Sequence, residues 1–96
     1  MGFALTSRSV TVTNPLGLHA RAAARFVHLA TRFTSQIRVT REARVMDGKS
    51  IMGILLLAAA RGTTLVITAE GVDETNAVDA LTRLVESGFG DESCNA

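Results

Sequence analysis

A histidine and an arginine two residues apart give this chain its clearest candidate chemistry. His19 and Arg21 lie in the run Gly17-Leu18-His19-Ala20-Arg21. A large fraction of histidine imidazoles is neutral and nucleophilic near neutral pH. The planar guanidinium of arginine presents a fork of donors that suits phosphate. Together the two side chains indicate a group that accepts a phosphoryl and holds it.

The local backbone around His19 should supply further anion-binding groups. Asn14-Pro15 favours a turn, and Gly17 can take a left-handed conformation at little steric cost. Alanine and arginine from Ala20 onward favour a helix, so His19 falls at a helix N-terminus with unpartnered N–H groups and a favourable dipole. The alternative interpretation of a histidine at this position is a solvated surface residue or a helix cap.

Composition narrows the function classes. The chain has 96 residues, a formal net charge of +1, four Phe and neither Trp nor Tyr, which disfavours a nucleic-acid binder. Its one cysteine, Cys94, cannot form an internal disulfide, so we expect a reduced, cytoplasmic setting. No apolar run is long enough to span a bilayer, and we expect no membrane association. The length predicts a single domain over 1–96, with a core over about 9–90, a short N-terminal extension and a polar C-terminal tail.

Alternating β-branched residues predict four strands, at 9–13, 36–40, 43–46 and 63–69. The second and third should form a hairpin that turns at Arg41-Glu42. One face of the resulting sheet should carry the apolar residues of each strand: Val10, Val12, Ile37, Val39, Leu65 and Ile67.

Apolar residues at helical spacing predict three helices, over 19–33, 51–59 and 73–87. Ser50 and Asp73 are the predicted N-caps of the second and third, and Gly62 and Gly88 the residues that end them. The buried stripes should comprise Ala23, Phe26, Val27, Ala30 and Phe33 in the first helix and Ala77, Leu81, Leu84 and Val85 in the third. The order β-α-β-β-α-β-α predicts an α+β fold, a mostly antiparallel sheet with helices on one face.

The second helix is apolar nearly all round, from Ile51 to Leu57. A short helix on a sheet buries one stripe, so some of these side chains should stay exposed and form a docking surface. The alternative is a helix deeply buried in a small core. Ser50, at its N-cap, could carry a phosphate stabilised by the dipole, or could be a cap only.

The two histidines do not form a metal site. His19 and His28 are nine positions apart, which places them on opposite sides of one helix, and no cysteine or carboxylate cluster completes a ligand set. We expect neither a metal nor a cofactor.

Two motifs together resemble the HPr family, the histidine-containing phosphocarriers of the bacterial phosphotransferase system. They are Gly17-Leu18-His19-Ala20-Arg21-Ala22-Ala23 and Asp47-Gly48-Lys49-Ser50-Ile51-Met52-Gly53. The resemblance runs over about 9–90 and includes Glu86-Ser87-Gly88-Phe89. It implies an open-faced β-sandwich, with a four-stranded antiparallel sheet and three helices on one face.

The resemblance also implies roles for individual residues. His19 would accept a phosphoryl group on Nδ1 from phospho-enzyme I and donate it to an EIIA-type protein or domain. Arg21 would support the phosphohistidine, within a phosphate-supporting turn that includes Gly17 and Ala20. A dedicated kinase and phosphorylase would act on Ser50, as in some bacteria. Partner docking would use a further set of side chains: Ile51, Met52 and Leu55.

Ala22 departs from the family pattern, because many members carry proline there. Alanine keeps the helix, so phosphoryl acceptance should survive. A similar alanine occurs in some members of the nitrogen-related branch, so sugar transport and nitrogen-related regulation both stay open.

A second hypothesis is a regulatory, protein-binding module controlled by phosphorylation of Ser50. This regulatory role should survive the loss of His19 and should change in a Ser50→Asp variant. A small-molecule or nucleic-acid module is disfavoured by the balanced charge. We expect a monomer.

Overall fold

The computed structural model of the chain describes residues 5–90. It contains seven elements in the predicted order β-α-β-β-α-β-α. They are β1 Leu5–Thr11, α1 Ala20–Ala30, β2 Gln36–Arg41, β3 Arg44–Asp47, α2 Ile51–Leu56, β4 Thr64–Glu70 and α3 Glu74–Glu86. The polar tail over 91–96 and Cys94 lie outside the described residues.

One antiparallel sheet joins the four strands in the order β1-β4-β2-β3. The predicted hairpin between β2 and β3 is confirmed, with its turn at Glu42, whose φ is 55°. Because side chains alternate along a strand, each strand gives one face to the helices. The predicted inward residues are all buried: Val10, Val12, Ile37, Val39, Leu65 and Ile67. The fold class is the predicted open sheet with three helices.

The hydrophobic core lies between this sheet and the buried faces of α1 and α3. Phe26 from α1 and Phe89, just beyond α3, are the largest fully buried side chains. Burying each contributes about 1.5–3 kcal/mol. The other buried residues of α1 and α3 are Ala22, Ala23, Val27, Ala30, Ala77, Val78, Leu81, Thr82 and Val85. Leu84 and Phe33, predicted as stripe residues, are partly buried and pack against the core.

The predicted start of β1 at residue 9 is wrong. The strand begins at Leu5, because β4 is seven residues long and offers pairing partners as far as Glu70. Part of the predicted N-terminal extension is therefore an edge strand. An ion pair between Arg8 and Asp79 of α3, 2.7 Å long, adds a contact between this strand and the helix layer.

Two helices end earlier than predicted. α1 ends at Ala30, where the N–H groups of Arg32 and Phe33 donate to the Leu29 and Ala30 oxygens in a tighter turn. α2 ends at Leu56 and not near residue 59.

The end of α2 depends on the β2–β3 hairpin. Arg41 and Arg44 each donate to a carbonyl at the helix end, those of Leu57 and Leu56, at 2.9 Å. Cations there also complement the helix dipole. Gly62 does not end the helix, contrary to prediction. It lies in the turn before β4, with φ +92°, and its N–H donates to the Val12 oxygen at 2.8 Å.

Asp73 precedes α3 as predicted, but its carboxylate makes no cap hydrogen bond. It accepts instead from the N–H groups of Thr34 and Ser35, each at 2.9 Å, and from the Ser35 hydroxyl. These bonds, with the Ser35 hydroxyl first, lower the pKa of Asp73 from 3.8 to about 2. Gly71 lies so close that a Cβ on it would be 2.6 Å from Ser35 Oγ. The carboxylate thus joins the α1–β2 connection to the β4–α3 connection.

Asp73→Asn should lower the Tm by several degrees at pH 7. Because the folded-state pKa is depressed, the carboxylate stabilises the fold above its ordinary pKa, and this contribution is lost as pH falls from about 4 to about 2. The Tm difference between wild type and variant should therefore shrink over that interval. Thermal melts followed by circular dichroism across the pH series measure it.

Asp79→Asn is the control, because Asp79 forms a half-exposed ion pair of the kind that adds little stability. A Tm difference for Asp73→Asn that stays constant from pH 7 to pH 2 would contradict the assignment.

Candidate functional site

The loop between β1 and α1 carries the candidate site. The N–H of Gly17 donates to the Asn14 oxygen at 3.1 Å and closes a four-residue turn with Pro15 in its second position. Proline presets the backbone angle needed there. Gly17 has φ +65°, as expected for a glycine in a left-handed conformation. The predicted turn is confirmed.

Gly17 also makes a close approach to the segment after α2. A Cβ atom on Gly17 would lie 2.5 Å from the Ala59 oxygen and 3.0 Å from the Ala60 Cα. The neighbouring Leu18, itself buried, donates its N–H to that same Ala59 oxygen at 2.9 Å. Only a residue without a side chain fits between the loop and this segment.

His19 is the N-cap of α1, with an extended backbone at φ −75° and ψ 177°. Its oxygen accepts the first helical hydrogen bond, from the Ala23 N–H at 2.9 Å. Its side chain is half-buried and makes no cap hydrogen bond to the helix. The N–H groups of Ala20, Arg21 and Ala22 precede that first bond and have no helical acceptor. The imidazole therefore lies where the helix presents its own donors.

Arg21 is exposed in the first turn of α1. Within residues 5–90 its guanidinium has neither a hydrogen-bond nor an ion-pair partner. The first turn contains no acidic residue. A cation at the positive end of a helix dipole is unfavourable for the helix itself. An anion bound at this end would meet the dipole, free main-chain amides and a guanidinium.

Ser50 is the N-cap of α2 as predicted, and its Oγ accepts from the Gly53 N–H at 3.0 Å. Three apolar side chains of this helix are exposed: Ile51 at 42%, Met52 at 66% and Leu56 at 53%. We call these three residues the α2 patch. Leu55, predicted to be exposed with Ile51 and Met52, is half-buried, because it packs against the core. The helix is therefore not deeply buried, and it carries apolar side chains on its exposed face as well as on its buried face.

Residues 5–90 hold no group of three or more His, Cys, Asp or Glu side chains placed to bind a metal ion. The same stretch has no helix both long and apolar enough to cross a bilayer. His28 is exposed on α1, away from the site of His19.

The sequence analysis did not predict the hydrogen bonds that two side chains, those of Asn14 and Arg25, make to the backbone. Asn14 was expected only to start a turn, yet it is 4% exposed and its side-chain Nδ2 donates to the Gly17 oxygen at 2.9 Å. The tendency of asparagine to bond the backbone a few residues on is the signal that could have found it. Arg25 donates to the Phe89 oxygen at 2.8 Å and ties α1 to the end of α3. No local pattern marks that contact.

Comparisons with known proteins agree with this geometry. A family model described as the PTS HPr component phosphorylation site matches residues 6–87. The chain is 45% identical over 87 residues to the phosphocarrier protein HPr of Cupriavidus necator, and the match covers 91% of this chain and 98% of that protein.

Solved structures give the same result. HPr-C-His from Thermoanaerobacter tengcongensis superposes with a TM-score of 0.86 at 44% identity, covering 91% of this chain and 98% of that one. An HPr dimer from the same organism superposes at 0.72 with 45% identity, covering 85% and 94% of the two chains.

Proposed function

The chain belongs to the HPr family, the phosphocarrier proteins of the phosphotransferase system, and we propose that His19 is the residue that carries its phosphoryl group. One observation supports this most directly. The imidazole lies at the N-terminus of α1 without capping it, so the helix amides stay available for a bound anion. Arg21 adds a cation one turn or less away.

The proposed step is a direct displacement at phosphorus. The lone pair of an imidazole nitrogen, Nδ1 in the family pattern, forms a P–N bond while the bond from phosphorus to the donor's leaving atom breaks. The phosphoryl then lies against the first-turn amides and the Arg21 guanidinium. In the second half-reaction the imidazole is the leaving group, and an acceptor nucleophile takes the phosphoryl.

The stabilisation that this site offers is modest, which suits a carrier. Arg21 is exposed, so its attraction for a phosphoryl group is weakened by solvent. Tighter binding of the phosphorylated state would lower its tendency to pass the group on. A half-buried imidazole at a helix end also leaves room for an in-line approach from a partner.

The family implies partners from the phosphotransferase system. We propose enzyme I as donor and an EIIA-type protein or domain as acceptor, in the cytoplasm, with docking on the α2 patch. The loop of His19 is hydrogen-bonded to Ala59, three residues beyond α2, so partner contact on this helix also orients the encounter at the histidine. A transfer assay with sugar-type and nitrogen-type acceptors separates the two branches. A monomer stays a prediction.

Ser50 is a proposed second, regulatory site. Its Oγ lies at the N-cap of α2, next to Ile51 and Met52 of the α2 patch. A phosphate there would add about two negative charges beside the docking surface. A kinase and phosphorylase acting on Ser50 would thereby change partner binding without altering the histidine chemistry.

His19→Ala should abolish phosphorylation. Incubation with enzyme I and phosphoenolpyruvate should add one acid-labile phosphate to the wild type and none to the variant, as measured by intact-mass spectrometry before and after acid treatment. His28→Ala, at the other histidine, should be labelled like the wild type. Acid-labile phosphate on the His19 variant would overturn the assignment.

Arg21→Ala should slow transfer from enzyme I by about 10- to 100-fold, because a hydrogen bond to a charged group is worth about 1.5–3 kcal/mol. The Tm should stay constant or rise slightly, since the change removes a cation from the positive end of a helix. Rapid-quench kinetics and thermal melts measure the two effects. Arg83→Ala, at an exposed position of α3, is the matched control. An unchanged rate, or a large fall in Tm, would count against the role of Arg21.

Met52→Ser should raise the KM for the partner by about tenfold or more and leave kcat unchanged, because burying a methionine contributes about 1.5–3 kcal/mol. Steady-state transfer at varied partner concentration measures both constants. Val72→Ser tests whether the effect belongs to the α2 patch, since Val72 is 81% exposed between β4 and α3. Equal changes in the two variants would remove the patch as the docking surface.

A further inference from the structure

We infer that Asn14 is a positioning residue for phosphoryl transfer. Its side-chain amide donates a hydrogen bond to the Gly17 oxygen, and the main-chain N–H of His19 donates to the same oxygen. The inference rests on the proposed function of His19 and deepens it.

The Gly17 peptide is the junction of this arrangement. Its oxygen accepts two hydrogen bonds of 2.9 Å, one from Asn14 Nδ2 and one from the His19 N–H. Its N–H donates in the other direction, to the Asn14 oxygen at 3.1 Å. Asn14 therefore contacts both polar groups of Gly17, and through the shared oxygen it determines where the backbone of His19 lies.

The environment of Asn14 makes this contact rigid. The residue is 4% exposed, so water does not compete for its amide and the hydrogen bond is stronger than one in solvent. An asparagine that only started a turn could remain in solvent, whereas burying its amide is unfavourable unless the amide is hydrogen-bonded. A Cβ atom on Gly88 would lie 3.4 Å from the Asn14 Cβ, so Asn14 lies beside the segment that follows α3.

His19 is consequently held from two sides. Asn14 connects its backbone to the segment that follows α3 through the Gly17 oxygen. On the other side, the Leu18 N–H connects the loop to Ala59, beyond α2, at 2.9 Å. Loss of the Asn14 amide removes its bond to the Gly17 oxygen but keeps the main-chain bond from the Gly17 N–H to the Asn14 oxygen and the bond from Leu18 to Ala59. The loop should therefore stay attached, while the Gly17 carbonyl loses its defined orientation.

A reactive group that shifts by about 1 Å can lose about 100-fold in rate. Docking should be unaffected, because the α2 patch lies on a different element from Asn14. Loss of the amide should therefore lower kcat and leave KM unchanged. A residue that served stability alone would change neither constant while the protein stays folded.

The test compares Asn14→Ala and Asn14→Asp with the wild type in steady-state transfer from enzyme I, below the Tm of every variant. Aspartate keeps the shape of asparagine, but the ionised side chain cannot donate to the Gly17 oxygen. We expect kcat to fall about tenfold in both variants and the KM for enzyme I to stay within about twofold. Two-dimensional NMR should show the His19 amide resonance moving while those of α2 stay in place.

Val78→Ala is the stability control, since Val78 is fully buried in α3 and distant in sequence from the loop. It should lower the Tm and leave kcat unchanged. Wild-type kcat in either Asn14 variant overturns the inference, as does an equal fall in kcat for Val78→Ala. Failure of the proposed function would be observed differently. In that case the wild type would take up no acid-labile phosphate, or the His19→Ala variant would take it up as well.

Discussion

Gly17 packs against Ala59 at a distance that leaves no room for a Cβ atom, and the next residue, Leu18, donates its N–H to the Ala59 oxygen. This contact joins the loop after β1 to the segment after α2, which are far apart in the sequence. Because His19 follows Leu18 directly, this contact also restrains the start of α1 relative to the segment after α2.

The residues of the candidate site at the start of α1 do not favour helix stability, and contacts elsewhere in the fold offset this. A serine, threonine or aspartate cap at position 19 would stabilise α1 by about 1 kcal/mol, yet the chain has a histidine that does not cap. Arg21 adds a cation at the positive helix end. Away from the site, by contrast, Ser50 caps α2, two arginines bind its last carbonyls, and Asp73 joins two connections. These stabilising contacts all lie away from His19 and Arg21.

α2 has both buried and exposed apolar side chains, although it is only six residues long. Ile54 and the cap residue Leu57 are buried in the core, whereas Ile51, Met52 and Leu56 point to solvent. The buried pair anchors the helix in the core, and the α2 patch consists of the opposite, exposed side chains of that helix. Exposed aliphatic side chains are unfavourable in water, and this supports the proposal that a partner docks on the α2 patch.

Period-two and helical patterns, turn-forming residues and caps act over a few residues. Local sequence was therefore enough to predict the order of elements, the inward faces of the strands, the Asn14–Gly17 turn and the Ser50 cap. It also placed His19 and Arg21 at a helix start. Other features depend on atoms that only tertiary packing brings together. β1 starts at Leu5 because β4 is long enough to pair with it, and α2 ends early where Arg41 and Arg44 reach it from a hairpin. Asp73 binds the distant Ser35 and does not cap its own helix, and the packing of α2 against the core leaves Leu55 half-buried and Leu56 exposed. No local pattern contains these distances, because each joins segments that the chain separates.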